Sequence, residues 1–171
     1  MATKAKKYCV LFDHSPNHDL QVYFNVTALN VEMNYYDIAE HFDAMSKQNA
    51  VKDIRKNLIQ AMLWGKMFVL YHGDATPDYL TGFTDSVNLP MERIFDFEHW
   101  QNPHNHKSIL YPGEDVDLHG VEGNFKLSDD FTIVIYSYFK DDNHIQETLD
   151  RIPTKKDLQV YVVEPLYQEE E

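Results

Sequence analysis

The chain has 171 residues, 43% of them hydrophobic, and 28 acidic against 15 basic side chains give a formal net charge of −13. That length and apolar content suit one folded domain with a closed core and exclude a disordered chain. The acidic balance excludes nucleic acid and anionic lipid as natural partners, since both are held through basic surfaces.

In chain order, Lys7 to Phe12 reads as a first strand ended by the turn-rich run Asp13-His14-Ser15-Pro16-Asn17. Gln21 to Glu32 is β-rich, with Val22, Phe24 and Val26 in alternation, and predicts one long strand or a strand kinked near Asn25. Asn34 then offers an N-cap to a helix carrying Tyr35, Ile38, Phe42 and Met45. After a polar break at Ser46 to Asn49, the spacing of Val51, Ile54, Leu58 and Met62 predicts a helix that closes at Gly65. Met67 to Tyr71 is a continuous apolar run, which suits a strand covered on both faces.

The region Gly73 to Asn105 is the least regular. Thr76-Pro77-Asp78 reads as a helix start and Met91 to Phe97 as a short helix after Pro90. Lys107 to Tyr111, the turn Pro112-Gly113-Glu114-Asp115 and Val116 to Leu118 read as a β-hairpin. Asp130 to Tyr136 is the strongest strand signal. Asn143 with Gln146 resembles a capping box, opening a helix that Pro153 closes, and Leu158 to Val163 is a last strand. The expected fold is an α/β three-layer sandwich, with a central, mainly parallel sheet and an inserted β-hairpin. Residues 1–166 form the single domain, and 167–171 form an acidic, solvated tail.

No stretch approaches the roughly 20 apolar residues of a membrane span. Met1 to Lys7 is polar and basic with no apolar core behind it, so it is no secretory signal. The lone Cys9 lies in the first apolar run and reads as a core residue. These features predict a cytoplasmic protein in a reducing compartment.

Few constellations carry chemistry. Gly65-Lys66 is no phosphate loop: no hydroxyl residue follows the lysine, and the order is helix then strand. Lys66 reads instead as a helix-end cation. His99, His104 and His106 are the one dense histidine group, but their spacing matches no closed zinc pattern and a polar loop is expected. Glu114, Asp115 and Asp117 resemble a calcium loop by charge alone. Asp74 and Asp141-Asp142 follow strands, at the sheet edge where α/β proteins hold ligands, and His72 stands beside Asp74 as a candidate base. Strand-end aspartates also serve simply as turn and cap residues. No catalytic residue, cofactor or metal is assigned.

The run Ala61-Met62-Leu63-Trp64-Gly65-Lys66-Met67-Phe68-Val69-Leu70 resembles a step in the AAA+ modules of dynein heavy chains. There a helix ends in glycine and enters the strand that carries the Walker B acids. Gly113-Glu114-Asp115-Val116-Asp117-Leu118 is similar to the family's glycine-acid hairpin. Asp130 to Ser137 resembles the strand that follows, with Ser137 at the polar sensor position. The likeness spans roughly Val10 to His144. It departs where the chemistry would be: the phosphate loop is absent, the Walker B position reads Tyr71-His72-Gly73-Asp74, and residues His119 to Asp129 look inserted. The resemblance thus implies a degenerate module that does not hydrolyse ATP.

Three functions are compatible with this reading. The first is a non-enzymatic structural or interaction protein in a cytoskeletal assembly, of the ciliary axoneme or dynein-associated kind that the resemblance implies. Its contacts would come from Tyr35, Tyr79, Trp100, Tyr111 and Tyr138. An attachment to acidic tubulin would need the basic group Lys4, Lys6 and Lys7. The second is a small α/β enzyme or ligand-binding protein using Asp74, Asp141 and His72. The third is a regulator that occupies a module-like place in a larger ATPase ring.

Overall fold

The computed structural model describes residues 8–41, 45–155 and 158–165. Lys4, Lys6, Lys7, Phe42 and the acidic tail therefore lie outside the described residues. Five strands form one all-parallel sheet: β1 (Tyr8–Asp13), β2 (Leu29–Glu32), β3 (Met67–Gly73), β4 (Thr132–Tyr138) and β5 (Leu158–Val163). Their order across the sheet is β2-β3-β4-β1-β5, with β4 paired to β1 from Cys9↔Val134 to Asp13↔Tyr138. The apolar runs at Met67 and Asp130 become β3 and β4, two of the three interior strands, buried on both faces as parallel strands are.

The helix α3 (Lys47–Trp64) follows the expected period, burying Val51, Ile54, Leu58 and Met62. Ser46, expected within a break, is its N-cap, and Asn49 N donates to its hydroxyl at 3.3 Å. Gly65 closes the helix at φ 64°, while Lys66 N donates to Ala61 O at 3.0 Å. A Cβ on Gly65 would also stand 2.5 Å from Ser128 Oγ. Glycine is thus required both by the backbone and by the neighbouring loop.

Four expected elements differ. Gln21 to Glu32 is no long strand but α1 (Asp19–Thr27) followed by the short β2. A parallel crossover from β1 to the far edge must cover a sheet face. Leu20, Phe24 and Ala28, spaced four apart, supply that contact, which overrides the β-propensity of the valines. The helix α2 (Met33–His41) begins before Asn34 and turns Tyr35 and Ile38 outward, burying Met33 and Ala39 instead. The inserted hairpin is absent: a 3-10 turn spans Lys107–Ile109, and only an isolated bridge joins Val116 to Glu122.

Polar capture explains that last difference. The buried Arg55 takes the Ile109 carbonyl through Nε at 2.8 Å, and Glu114 accepts from Tyr111 N at 2.7 Å. Backbone groups that a hairpin would have paired are therefore already used. Asp78 likewise forms a turn rather than a helix start, accepting from Leu80 N at 2.7 Å and Thr81 N at 3.2 Å.

The insertion between β3 and β4 instead carries α4 (Met91–Ile94), α5 (Phe97–Gln101) and α6 (Pro103–His106). The last helix, α7 (Asp142–Asp150), is capped by Asp141, which accepts from His144 N at 2.8 Å, and not by Asn143.

The two sheet faces are unequally covered. On one, Tyr8, Val10, Phe12, Phe68, Leu70, Ile133 and Ile135 pack against α3, α7 and the insertion. On the other, Val69, Tyr71, Val134 and Tyr136 meet Phe24 of α1, with Cys9, Leu11 and Met67 only half-buried. Cys9 thus faces the thin side of the sheet, and burial pushes its thiol pKa up, away from nucleophilic reactivity. Among the described residues, no helix is long and apolar enough to cross a membrane.

Candidate functional site

In an open parallel sheet, ligands sit where neighbouring strands send their connections to opposite faces. Here β1 feeds α1 on the thin face while β4 feeds α7 on the thick face, so that point lies between the carboxyl ends of β1 and β4. Asp13 ends β1 there with its carboxylate fully buried. It accepts from Ser15 N at 2.8 Å and from the Tyr136 hydroxyl at 2.6 Å. Beside it, Tyr71 donates to Tyr138 at 2.7 Å, and Tyr138 donates to Gln21 at 2.7 Å. Burial raises the pKa of Tyr71 and Tyr136 above the ordinary phenol range, and the neighbouring Tyr138 and Asp13 oxygens reinforce this.

His18 closes the cluster. It holds the only left-handed non-glycine backbone among the described residues, φ 48°. Its ring stacks on Tyr138 at 3.6 Å, and its Nδ1 is 4.0 Å from Asp13. The crevice is therefore filled by tyrosine rings and a spent carboxylate. The connection Asp13 to His18, which would be the phosphate loop of a nucleotide-binding module, contains neither glycine nor lysine. Pro16 within it has no amide hydrogen to offer a phosphate.

Of the residues of the enzymatic reading, His72 and Asp141 are used structurally, and Asp74 stands at the surface. His72 sits at a register shift between Tyr71 and Gly73, fully buried, with Nε2 2.7 Å from the Tyr79 hydroxyl. Burial lowers its pKa to about 3, with nearby His144 adding to the shift. A base so weak carries no proton at neutral pH and accepts one poorly. Asp74 is exposed and lies 3.7 Å from Lys140 Nζ, while Asp141 caps α7. A cleft of about 380 Å³ lined by Leu63, Asp117 and Lys126 to Asp130 lies at the amino end of β4, far from these groups.

The histidine group does not converge either, and the expected polar loop is helical there. His104 is exposed, whereas His106 is buried with Nδ1 3.0 Å from the Trp100 carbonyl. Among the described residues no three His, Cys, Asp or Glu side chains are placed to hold a metal ion. The calcium-like acids are also committed: Glu114 to Arg55, Asp115 to Lys107 at 2.9 Å, and Asp117 to the amides of His119 and Val121.

Of the expected contact aromatics, Tyr79 and Trp100 are 1% and 0% exposed and belong to the core, which removes them as surface contacts. Tyr138 is half-buried under His18. Tyr111 is exposed but carries the Arg55 guanidinium 3.4 Å from its ring centroid. Tyr35 is open, beside Tyr36.

The exposed apolar residues that sequence reading missed include Val22, Tyr23 and Val26 on α1, at 64, 53 and 83% exposure, with Trp64 and Val87 elsewhere. Once the segment is known to be helical, the spacing from Val22 to Val26 marks a single outer face. A comparison with known proteins finds no matching family model, no matching curated protein and no matching solved structure.

Proposed function

We propose that the protein acts by binding another protein through the thinly covered face of its sheet, and that it is not an enzyme. One observation carries this reading. Parallel sheets bury both faces, yet here one face is covered by a single nine-residue helix that itself turns Val22, Tyr23 and Val26 outward. Half-buried Cys9, Leu11 and Met67 lie on the same face of the sheet, and exposed apolar groups of this kind suit a partner with a complementary apolar ridge.

The placement in a cytoskeletal assembly, of the ciliary-axoneme and dynein-associated kind, rests on the resemblance to AAA+ modules. In the fold β4 pairs with β3, and Ser137, at the position that the resemblance likens to a polar sensor, has its hydroxyl 3.3 Å from the Gly73 carbonyl. The non-enzymatic reading is supported by the lack of glycine and lysine between β1 and α1 and of paired acids after β3, which nucleotide-cleaving sites use. Against the enzymatic reading, His72 is buried against Tyr79, Asp141 caps α7, and Asp74 is an exposed side chain beside Lys140.

Calorimetric titration of the folded chain with ATP and with ADP, in the presence of magnesium, tests the reading. No binding heat is expected. Binding at micromolar strength would replace it with a nucleotide-dependent role.

A further inference from the structure

We propose that β5 pairs antiparallel with β5 of a second copy of this chain, joining two sheets into one. β5 is the outermost strand of the described sheet. Val163 O accepts from His14 N at 2.9 Å, so the backbone groups of Val163, and by alternation those of Tyr161 and Gln159, point to β1. Those of Val160 and Val162 point the other way, out of the sheet.

Edge strands are ordinarily protected by a charge, a proline or a bulge. Leu158 to Val163 contains no charge and no proline, and its register with β1 is unbroken over all six residues. Val160, Tyr161 and Val162 are 43, 48 and 42% exposed. An unprotected apolar edge of this kind is a strand-addition site.

The flanks identify the occupant. Lys155, Lys156 and Asp157 precede the strand, a flank of net charge about +1, and Glu164 follows it. Lys155 and Glu164 are both at the surface, where Lys155 also reaches Asp150 and Glu164 reaches His14. Antiparallel pairing of two copies brings the Lys155 end of each strand toward Glu164 of the other, whereas parallel pairing would set Lys155 toward Lys155 and Glu164 toward Glu164. A twofold axis perpendicular to the sheet keeps each face continuous across the junction. Centred on Val160, it sets Val160 against its own counterpart, Leu158 against Val162 and Gln159 against Tyr161. The outward N–H and C=O of the two Val160 residues then bond reciprocally.

This inference stands apart from the sheet-face reading: it uses the edge of the sheet and needs only the purified chain. Light scattering on the full-length protein should give about 40 kDa, twice the 20.1 kDa of one chain. Val160→Pro removes an outward N–H that the β1 ladder does not use. It should weaken association about a hundredfold, while the melting temperature matches that of the parent only at concentrations where the parent too is monomeric. A second series leaves the strand intact: Lys155→Glu should weaken the dimer, and adding Glu164→Lys should restore it. A wild-type mass of 20.1 kDa across the micromolar range would overturn the proposal. A dimer indifferent to Val160→Pro would do the same, as would a charge exchange that restores nothing.

Discussion

Replacing Glu114 by alanine is expected to destabilise the fold by about 2–3 kcal/mol, a loss of roughly 4–12 °C in melting temperature for a domain of this size. Arg55 projects from α3 into the core with its side chain 4% exposed. Its Nε donates to Ile109 O at 2.8 Å, its guanidinium lies on the Tyr111 ring, and its two terminal nitrogens donate to Glu114. Removing the carboxylate leaves a buried cation without its counter-ion and deprives Tyr111 N of its acceptor.

The partial exposure of Glu114 admits water and keeps the loss below that of a fully buried pair. Glu114→Gln keeps an acceptor for Tyr111 N and should cost less. Adding Arg55→Met to Glu114→Ala should recover part of the loss, because the unpaired charge goes with it. Denaturant melts of the four proteins measure these differences; a Glu114→Ala variant within 0.5 kcal/mol of the parent would refute the assignment.

Acid is expected to unfold the protein through His72. Its folded pKa is about 3, against about 6.5 in an unfolded chain. The unfolded state therefore binds more protons between those values. The contribution is fully present above pH 6.5 and is lost progressively as pH falls toward 3. Between pH 7 and pH 5 this one side chain should cost about 2 kcal/mol. His144, whose pKa is lowered by burial and by nearby Lys140, adds in the same direction. His72→Gln keeps a polar partner for Tyr79 and removes the titration, so its stability should vary less over that interval. An unchanged pH dependence in His72→Gln would show that the acid sensitivity lies elsewhere.

Legibility in the sequence followed the strength of local signals. The strands at Met67 and Leu158, and the α3 helix with its glycine stop, were readable because period, composition and boundary residue agreed. The segment from Asp19 to Thr27 was not: its valines favour a strand locally, and only the crossover from β1 to the opposite edge makes it a helix. The absent hairpin has a similar cause, since Arg55 lies more than fifty residues upstream of the backbone it captures.

The enzymatic candidates were visible as residue types, but their employment as caps, ion pairs and core groups was not. The Asp13, His18, Tyr71, Tyr136 and Tyr138 cluster depends on parallel pairing of strands distant in sequence. The only local hint was tyrosine at both Tyr136 and Tyr138, spaced to share one face of a strand.

The most direct test of the interaction reading is sedimentation of the protein from a native extract, comparing the parent with Val22→Asp/Val26→Asp. Both valines point away from the sheet, so the double variant should melt within about 1 kcal/mol of the parent. The account predicts that the parent travels with an assembly much larger than its own dimer and that the double variant is released from it. A parent that sediments as free protein, or a double variant that stays in the assembly, would contradict the claim that this sheet face is a binding surface.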